Sequence, residues 1–427
     1  MNPPAQAPAR SPLLSLDDAL QSLLAQVVPL PGFETVSTFE ADGRVLAADL
    51  TSALQVPPQD NSSMDGYAVR HTDVPASGAV LRVSQRLPAG AAAHPLEAGT
   101  AARIFTGAPI PPGADTVVMQ EETDAVGGDV HAVRFHAVPK AGQWIRRAGE
   151  DVTRGAVVLA RGERLSPAAL GLAASIGLAH LPVVTRPRVA LFSTGDELVM
   201  PGDVAPEAMP PGAIYNSNRF FLRALLHRLG CEVSDLGIVP DQREATIAAL
   251  KTAADHHDLV LTSGGVSVGE EDHIKPAVQH LGRLDLWQIA MKPGKPFAYG
   301  RVRRDAGAGA QAATDCHFIG LPGNPVSSYL TFFLLVQPFL LRLQGVADVT
   351  PKSIALPAHF TLGKADKRRE FLRARRNAAG GLDLFPNQSS GVLTSAVWGD
   401  GVIDNPAGTT VAHGDLVRFI PFSEWLA

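Results

Sequence analysis

The chain has 427 residues, 45% hydrophobic and 19% charged, which excludes disorder and fibrous low complexity and, at ~150 residues per domain, implies about three domains. A formal net charge of −5 supplies no global positive field to recruit nucleic acid, and two cysteines, Cys231 and Cys316, are too few for a disulfide framework or a cysteine-rich metal site. The opening stretch MNPPAQAPARSP lacks the apolar run of a secretory signal. The greasiest segment, 329–341, is shorter than the ~18 apolar residues of a membrane span, so it reads as a buried core helix. A protein of the reducing cytoplasm, with no membrane segment, is the expectation.

Residues 15–28 predict an opening helix, with Ser15 and Asp18 at capping-box spacing and Leu16, Leu20, Leu23, Leu24 and Val27 on one stripe. From 52 to 150 short strands such as 103–105 and 116–119 are broken by Gly and Pro, the pattern of a β-rich module. Ser166-Pro167 then opens a second helix over 166–176. The β-rich domain 52–150 is thereby inserted between 12–51 and 151–184, two pieces of a helical and extended linker domain. Segment 185–345 alternates strands (188–192, 232–239, 259–262, 286–289, 297–299, 317–319) with helices. Those helices are capped at Asn218, boxed by Asp241 and Glu244, placed near 272–281 and begun at about 326. Such alternation predicts a doubly wound α/β domain on a parallel sheet. Past it, 346–427 carries short strands and a basic run, 364–376, and suits a small β-barrel domain. There is no internal repeat, and 305–314 is a Gly/Ala loop.

The chemistry gathers in turns that follow strands. In DLVLTSGGVSVGEED, 258–272, an apolar strand runs into Gly264-Gly265 and on toward a helix; glycines there let backbone N–H groups approach an anion. Glu270, Glu271 and Asp272 would repel a bare phosphate and make sense if Mg²⁺ bridges the two, although a tight turn with an acidic first helical turn would look the same. KPGKP, 292–296, holds two of the only eight lysines in the chain on a proline-stiffened loop, an arrangement for a compact oxyanion or an ordinary solvated turn. LPGNPVSS (321–328) and STGDEL (193–198) lie at two further strand ends, so four loops converge on one crevice. In the β-rich part Asp60, Thr106 and Asp151 could reach a ligand but equally fit satisfied turns, and His256-His257 reads as a helix-end surface patch.

Taken together, DNSSMDGYAV, RIFTGAPIPPGADTVVMQEE, GEDV, STGDEL, SGGVSVGEED, MKPGKPFAYG and LPGNPVSS, in that order over 60–328, resemble the molybdopterin molybdenumtransferases of the MoeA type, a family related to the C-terminal region of gephyrin. WGDG, 398–401, departs from the pattern of the family's C-terminal domain. The resemblance implies an elongated homodimer of four-part subunits, its site shared between them. It implies a transferase that takes adenylylated molybdopterin and molybdate, releases AMP with Mg²⁺ and leaves molybdenum on the dithiolene. Carried over, Asp241, Asp272 and Glu197 would serve metal and phosphate. Thr194, Asp196, Gly264, Gly265, Ser267, Pro322, Gly323 and Asn324 would line the nucleotide. Lys292, Lys295, Ser327, Arg373 and Ser390 would meet molybdate, and Asp60, Thr106 and Asp151 would contribute on the pterin or partner-subunit side. Expected partners are the molybdopterin adenylyltransferase and the molybdoenzyme acceptors. Two rival readings stand beside it: adenylylation of molybdopterin, which a single Gly-Gly turn with attached β modules disfavours, and a non-enzymatic dimeric scaffold of the gephyrin type, which the lack of a fused second α/β domain disfavours.

Overall fold

The computed structural model describes residues 13–127, 131–266, 273–305 and 315–426. At its centre six strands lie in the order Glu232–Val239, Arg188–Thr194, Leu259–Ser263, Cys316–Leu321, Pro296–Val302, Gly282–Gln288. The first four run parallel, and the last two are antiparallel to their neighbours. The sheet is therefore mixed, not wholly parallel as expected. The physical reason lies in the connection 289–295, which is too short for a crossover helix and can only return the chain as a hairpin. On one face pack the helices Arg243–His256 and Ile274–Leu281, through Leu250, Ala253, Ile274 and Val278; on the other packs Ser217–Arg228, through Leu222, Leu225 and Leu226.

Two helix starts differ from expectation. Asn216, not Asn218, caps Ser217–Arg228, its side chain accepting from the Arg219 N–H at 3.2 Å. Arg243–His256 begins after Gln242 with no side-chain cap, so Asp241 and Glu244 form no box. In both cases the residue read as a cap is turned to the cleft described below.

The greasy segment becomes a 19-residue helical run, Pro325–Leu343, longer than the sequence suggested and with the length and composition of a membrane span, yet 83% of its apolar window is buried in the protein. Its middle, Phe332–Val336, is π-helical, with the Gln337 N–H bonded to the Phe332 carbonyl. Pro338 has no N–H and would clash with a straight α-helical turn, and the wider turn just before it absorbs that defect. Around this helix one apolar cluster joins the sheet (Leu261, Ile319), the opening helix Leu16–Leu24 (Leu16, Ala19, Leu23) and the C-terminal segment (Phe371, Phe422, Trp425). The opening helix thus packs away from the rest of 12–51, whose Leu46 and Leu50 join Leu159, Ala169, Leu181 and Val183 in a separate cluster. In that cluster Phe33–Ser37 pairs with His180–Val184 and Leu50–Thr51 with Val157–Leu159, while Ser166 caps the helix Pro167–Ser175.

Between these pieces a six-stranded sheet runs in the order Thr116–Met119, Gly66–Val69, Thr100–Ile104, Val80–Leu87, Ala132–Phe135, Thr123–Val126. The C-terminal strands run Arg369–Arg376, Gly401–Asn405, Leu416–Pro421, Ile354–Pro357, and Met291–Lys292 from the α/β segment adds to their edge beside Arg369 and Glu370. Leu382–Leu384 pairs with Arg369–Arg376, and a bridge from Ala358 to Leu382 brings the path back on itself.

His317 sits inside this core, 2.9 Å from the Tyr299 hydroxyl, and burial pulls its imidazole down to about 3 from 6.5. The native state refuses a proton that the unfolded chain accepts below its ordinary value, so this contribution to stability is present above pH 6.5 and is lost as pH falls toward 3. His317→Gln should flatten the acid limb in that window, the difference from wild type reaching about 2–3 kcal/mol near pH ~4.5. Urea unfolding midpoints at neutral and acid pH measure it.

Candidate functional site

The carboxyl ends of the parallel strands open into a cleft of about 530 Å³ whose lining includes Thr194, Glu197, Asp241, Gly264, Gly265, Pro322, Gly323, Asn324 and Ser327. Ser263-Gly264-Gly265 makes the turn at its floor. Both glycines have positive φ, +95° and +69°. A Cβ at Gly264 would meet the Thr194 carbonyl at 2.9 Å, and one at Gly265 would meet Ile274 Cγ1 at 2.5 Å. Only glycine fits both the dihedral and the space. The two amides are not equivalent. The Gly264 N–H donates to the Leu321 carbonyl at 3.0 Å, tying the turn to the neighbouring strand, whereas among the described residues the Gly265 N–H has no such partner.

Asn218, read from sequence as a cap, instead locks three loops together. Its amide nitrogen donates to Ser263 Oγ at 2.8 Å and to the Gly323 carbonyl at 2.7 Å. With its partners fixed, the Asn218 side-chain oxygen is left buried and without a partner among the described residues, as is the Asn216 amide nitrogen, and both residues line the cleft. Sequence reading missed these two and Tyr215; the only signal, two asparagines before a helix, is also the ordinary signal of a cap.

Thr194 is buried, and Glu197 folds back over Gly195, where a Cβ would stand 2.6 Å from its carboxylate. Asp196 is exposed beside it and is not part of the lining. Ser267 and Asp272, with Glu270 and Glu271, lie outside the described residues. Asp241 and Glu197 are hard oxygen donors on one cleft, and among the described residues no group of three or more His, Cys, Asp or Glu is arranged to hold a metal.

The oxyanion candidates gather at the far side of the LPGNP turn. Ser327 is buried in the first turn of Pro325–Thr331, and the N–H of Val326 donates to the Ser390 carbonyl at 2.9 Å, docking the C-terminal loop on that turn. Beneath the loop Arg373 is 1% exposed, donating to Ser395 Oγ (3.1 Å) and to the carbonyls of Phe371 (3.0 Å) and Ser389 (3.3 Å). Burial pulls its guanidinium down to about 10, still charged at neutral pH, and among the described residues it has no carboxylate partner. The KPGKP loop rests on the same helix, Gly294 lying where a Cβ would strike Thr331 Oγ1 at 2.6 Å. Lys295 is exposed beside Pro296 of the cleft. Lys292, expected to meet molybdate, is ion-paired with Glu370 at 2.9 Å and Asp366 at 3.1 Å, the Glu370 bond chiefly raising its pKa.

Asp60, Thr106 and Asp151 are tied to other loops of the β-rich part and do not line the cleft. Asp60 is held by Arg147 (2.6 Å) and the Ala148 N–H (2.8 Å), and the Thr106 N–H and hydroxyl both donate to Asp65 at 2.8 Å. The Asp151 N–H donates to the Val56 carbonyl at 3.0 Å. A larger cavity of about 810 Å³ lies between the opening helix and the C-terminal strands. Its charges satisfy one another: Arg369 grips Asp404 at 2.6 and 2.7 Å and Asp17 at 2.9 Å, and Arg418 reaches Asp404 at 3.2 Å.

A multidomain α/β protein with a glycine-turn cleft at its strand ends, flanked by β-rich units, is the class these features define. Comparison with known proteins narrows it. Family models described as "MoeA N-terminal region (domain I and II)", "Probable molybdopterin binding domain" and "MoeA C-terminal region (domain IV)" match residues 14–177, 190–342 and 355–422. The chain is 41% identical to a molybdopterin molybdenumtransferase of Haemophilus influenzae, over 84% of this chain and 85% of that one. It is 38% identical to molybdopterin molybdenumtransferase 2 of Mycobacterium tuberculosis, over 90% and 95%. The crystal structure of a molybdopterin biosynthesis MoeA protein from Pyrococcus horikoshii OT3 superposes with a TM-score of 0.81 at 27% identity, covering 96% of this chain and 100% of that one. The chain belongs to the MoeA family of molybdopterin molybdenumtransferases, and it is a transferase of molybdenum cofactor biosynthesis.

Gly265→Val combines positive-φ strain with a 2.5 Å clash, a cost of about 1–3 kcal/mol for the strain alone. It should lower the melting temperature measured by calorimetry. An unchanged melting temperature would show that the turn tolerates a side chain at Gly265.

Proposed function

We propose that the chain inserts molybdenum from molybdate into adenylylated molybdopterin with Mg²⁺-dependent release of AMP. The observation that carries this reading is the meeting, in one cleft, of the Gly264-Gly265 turn, the carboxylates Glu197 and Asp241, and the LPGNP helix start bearing Ser327. The donor set suits a hard divalent cation, which takes carboxylate oxygens: Asp241 and Glu197 would hold it, with Asp272 as third candidate. When bound, Mg²⁺ offsets negative charge on the phosphoanhydride and eases the departure of AMP.

The protein's own groups do the placing. The Gly265 amide points a donor at a phosphate oxygen without needing to reorganise, which a flexible lysine could not do. Asn216 and Asn218 offer a donor and an acceptor along the same wall. Molybdate, a tetrahedral dianion, is drawn to the side where Arg373 carries a buried charge with no carboxylate partner among the described residues and where Lys292 and the exposed Lys295 stand on one loop, with Ser327 and Ser390 as hydroxyl donors. Holding the oxyanion against the dithiolene turns an encounter of two anions into a reaction within one site. Because the chain carries −5 overall, this recruitment rests on local charge.

The reading extends to architecture. Four parts are read here, 12–51 with 151–184, the inserted 52–150, 185–345, and 346–427, whose returning strand path is read as a small barrel; the first, second and fourth have apolar clusters of their own, while the opening helix and part of the C-terminal segment also share the core of 185–345. Asp60, Thr106 and Asp151, remote from the cleft lining, are read as serving the neighbouring subunit's site in a homodimer. The adenylyltransferase that makes the substrate and the molybdoenzymes that accept the product are the expected partners, in the cytoplasm.

The test supplies adenylylated molybdopterin, Mg²⁺ and molybdate and follows AMP. Release that depends on molybdate supports insertion; ATP-dependent AMP incorporation, or no turnover, overturns it. In the same assay Lys295→Ala should raise the molybdate KM roughly tenfold, the loss of one charge-assisted contact, with AMP affinity unchanged.

A further inference from the structure

The KPGKP loop has a second feature that the oxyanion reading leaves unused. Lys292 lies on the two-residue strand Met291–Lys292, which pairs in parallel with Arg369 and Glu370 and carries the α/β segment onto the C-terminal sheet. That pairing sets the Lys292 ammonium on Glu370 Oε1 at 2.9 Å and on Asp366 at 3.1 Å. Asp366 is further held by Arg368, through contacts of 3.1 and 3.3 Å, while Glu370 is 4% exposed and its second oxygen has no partner among the described residues. Lys292 and Arg368 therefore balance two carboxylates, and two of the three ammonium donors are occupied. A lysine so engaged meets a dianion only by exchanging one counter-ion for another.

We propose that Glu370, assisted by Asp366, is an internal counter-ion that competes with molybdate for Lys292 and thereby sets the affinity of the site for a tetrahedral oxyanion. The proposal rests on the reading that molybdate binds beside Lys292 and Lys295. Glu370 is a positioning residue in this scheme: it acts on the oxyanion through Lys292. The carboxylate holds the ammonium in place beside the C-terminal sheet while the site is empty. Its unpaired oxygen keeps the pair from being bonded so fully that exchange is barred. The arrangement also explains why Lys292→Ala alone is a poor probe. It would strand a buried carboxylate, and the resulting loss of stability would be mixed with any loss of molybdate binding.

The experiment is molybdate-dependent AMP release by the full chain, with KM and kcat read separately. Glu370→Gln keeps the shape and removes the charge, and it should lower the molybdate KM roughly fivefold while kcat stays within about twofold. Asp366→Asn, more exposed and shared with Arg368, should act in the same direction with smaller effect, and serves if the Glu370 variant does not fold. A KM that is unchanged or raised in a folded Glu370→Gln protein overturns the proposal, since a purely structural ion pair would move melting temperature or kcat and leave KM alone. Lys295→Ala is the control. If it raises the molybdate KM while Glu370→Gln fails to lower it, the counter-ion role falls and the oxyanion site stands. If neither Lys295→Ala nor Glu370→Gln moves the KM, both fall. Melting temperatures give an independent readout: Lys292→Ala should melt lower than wild type, and the double variant Lys292→Ala/Glu370→Gln should recover part of the loss, because the stranded charge is gone. No recovery counts against the pair.

Discussion

Burial of the helix Pro325–Leu343 is the constraint on which the rest of the structure depends. Its residues from Val326 to Leu340 are almost all inaccessible, and they touch the sheet, the opening helix and the C-terminal segment at once. Phe333 stacks on Trp425 at 4.9 Å and meets Tyr329 edge-on at 4.7 Å, so the last residues of the chain are anchored on the same helix whose first turn faces the cleft. Each fully buried aromatic is worth about 3–5 kcal/mol against truncation. That energy lets a polar N-terminal turn with Asn324, Ser327 and Ser328 be held rigidly, although buried hydroxyls gain little from their own contacts.

From this fixed turn the site is assembled by small polar ties. Asn218 joins three loops through its amide nitrogen, the Val326 N–H to Ser390 bond docks the C-terminal loop, and Met291–Lys292 crosses to the C-terminal sheet. The parts of the cleft thus come from segments far apart in sequence, and their mutual position is set by backbone bonds rather than by long side chains. This suits a site for two anions. A flexible cationic patch would bind either anion in many poses, whereas a glycine amide, a buried guanidinium and a lysine held by a counter-ion each fix where charge is offered.

Much of this was legible from the residues. Strand-glycine-helix turns at Gly264-Gly265, KPGKP and LPGNP were visible because glycine and proline record backbone constraints directly, whatever surrounds them. Polar side chains record much less. Asn218 looked like a cap because a cap needs only an amide before a helix; that its nitrogen faces Gly323 and Ser263 follows from packing. That Lys292 is paired was not legible because Glu370 is 78 positions away, and pairing the two required the C-terminal sheet to form. The antiparallel edge of the sheet was misread for a similar reason. Periodicity marks a strand but not its direction, which here was fixed by a seven-residue connection, 289–295, and the sheet it joined.

The order of elements, the glycine turns and the family were set by the sequence alone, because each is written in local backbone chemistry or in ordered motifs. Only the folded chain shows which of two glycine amides is tied to the neighbouring strand, which lysine is already paired, and that the buried helix runs to 19 residues with a π-helical middle. Those outcomes depend on what a residue meets across the fold, and no local pattern specifies it.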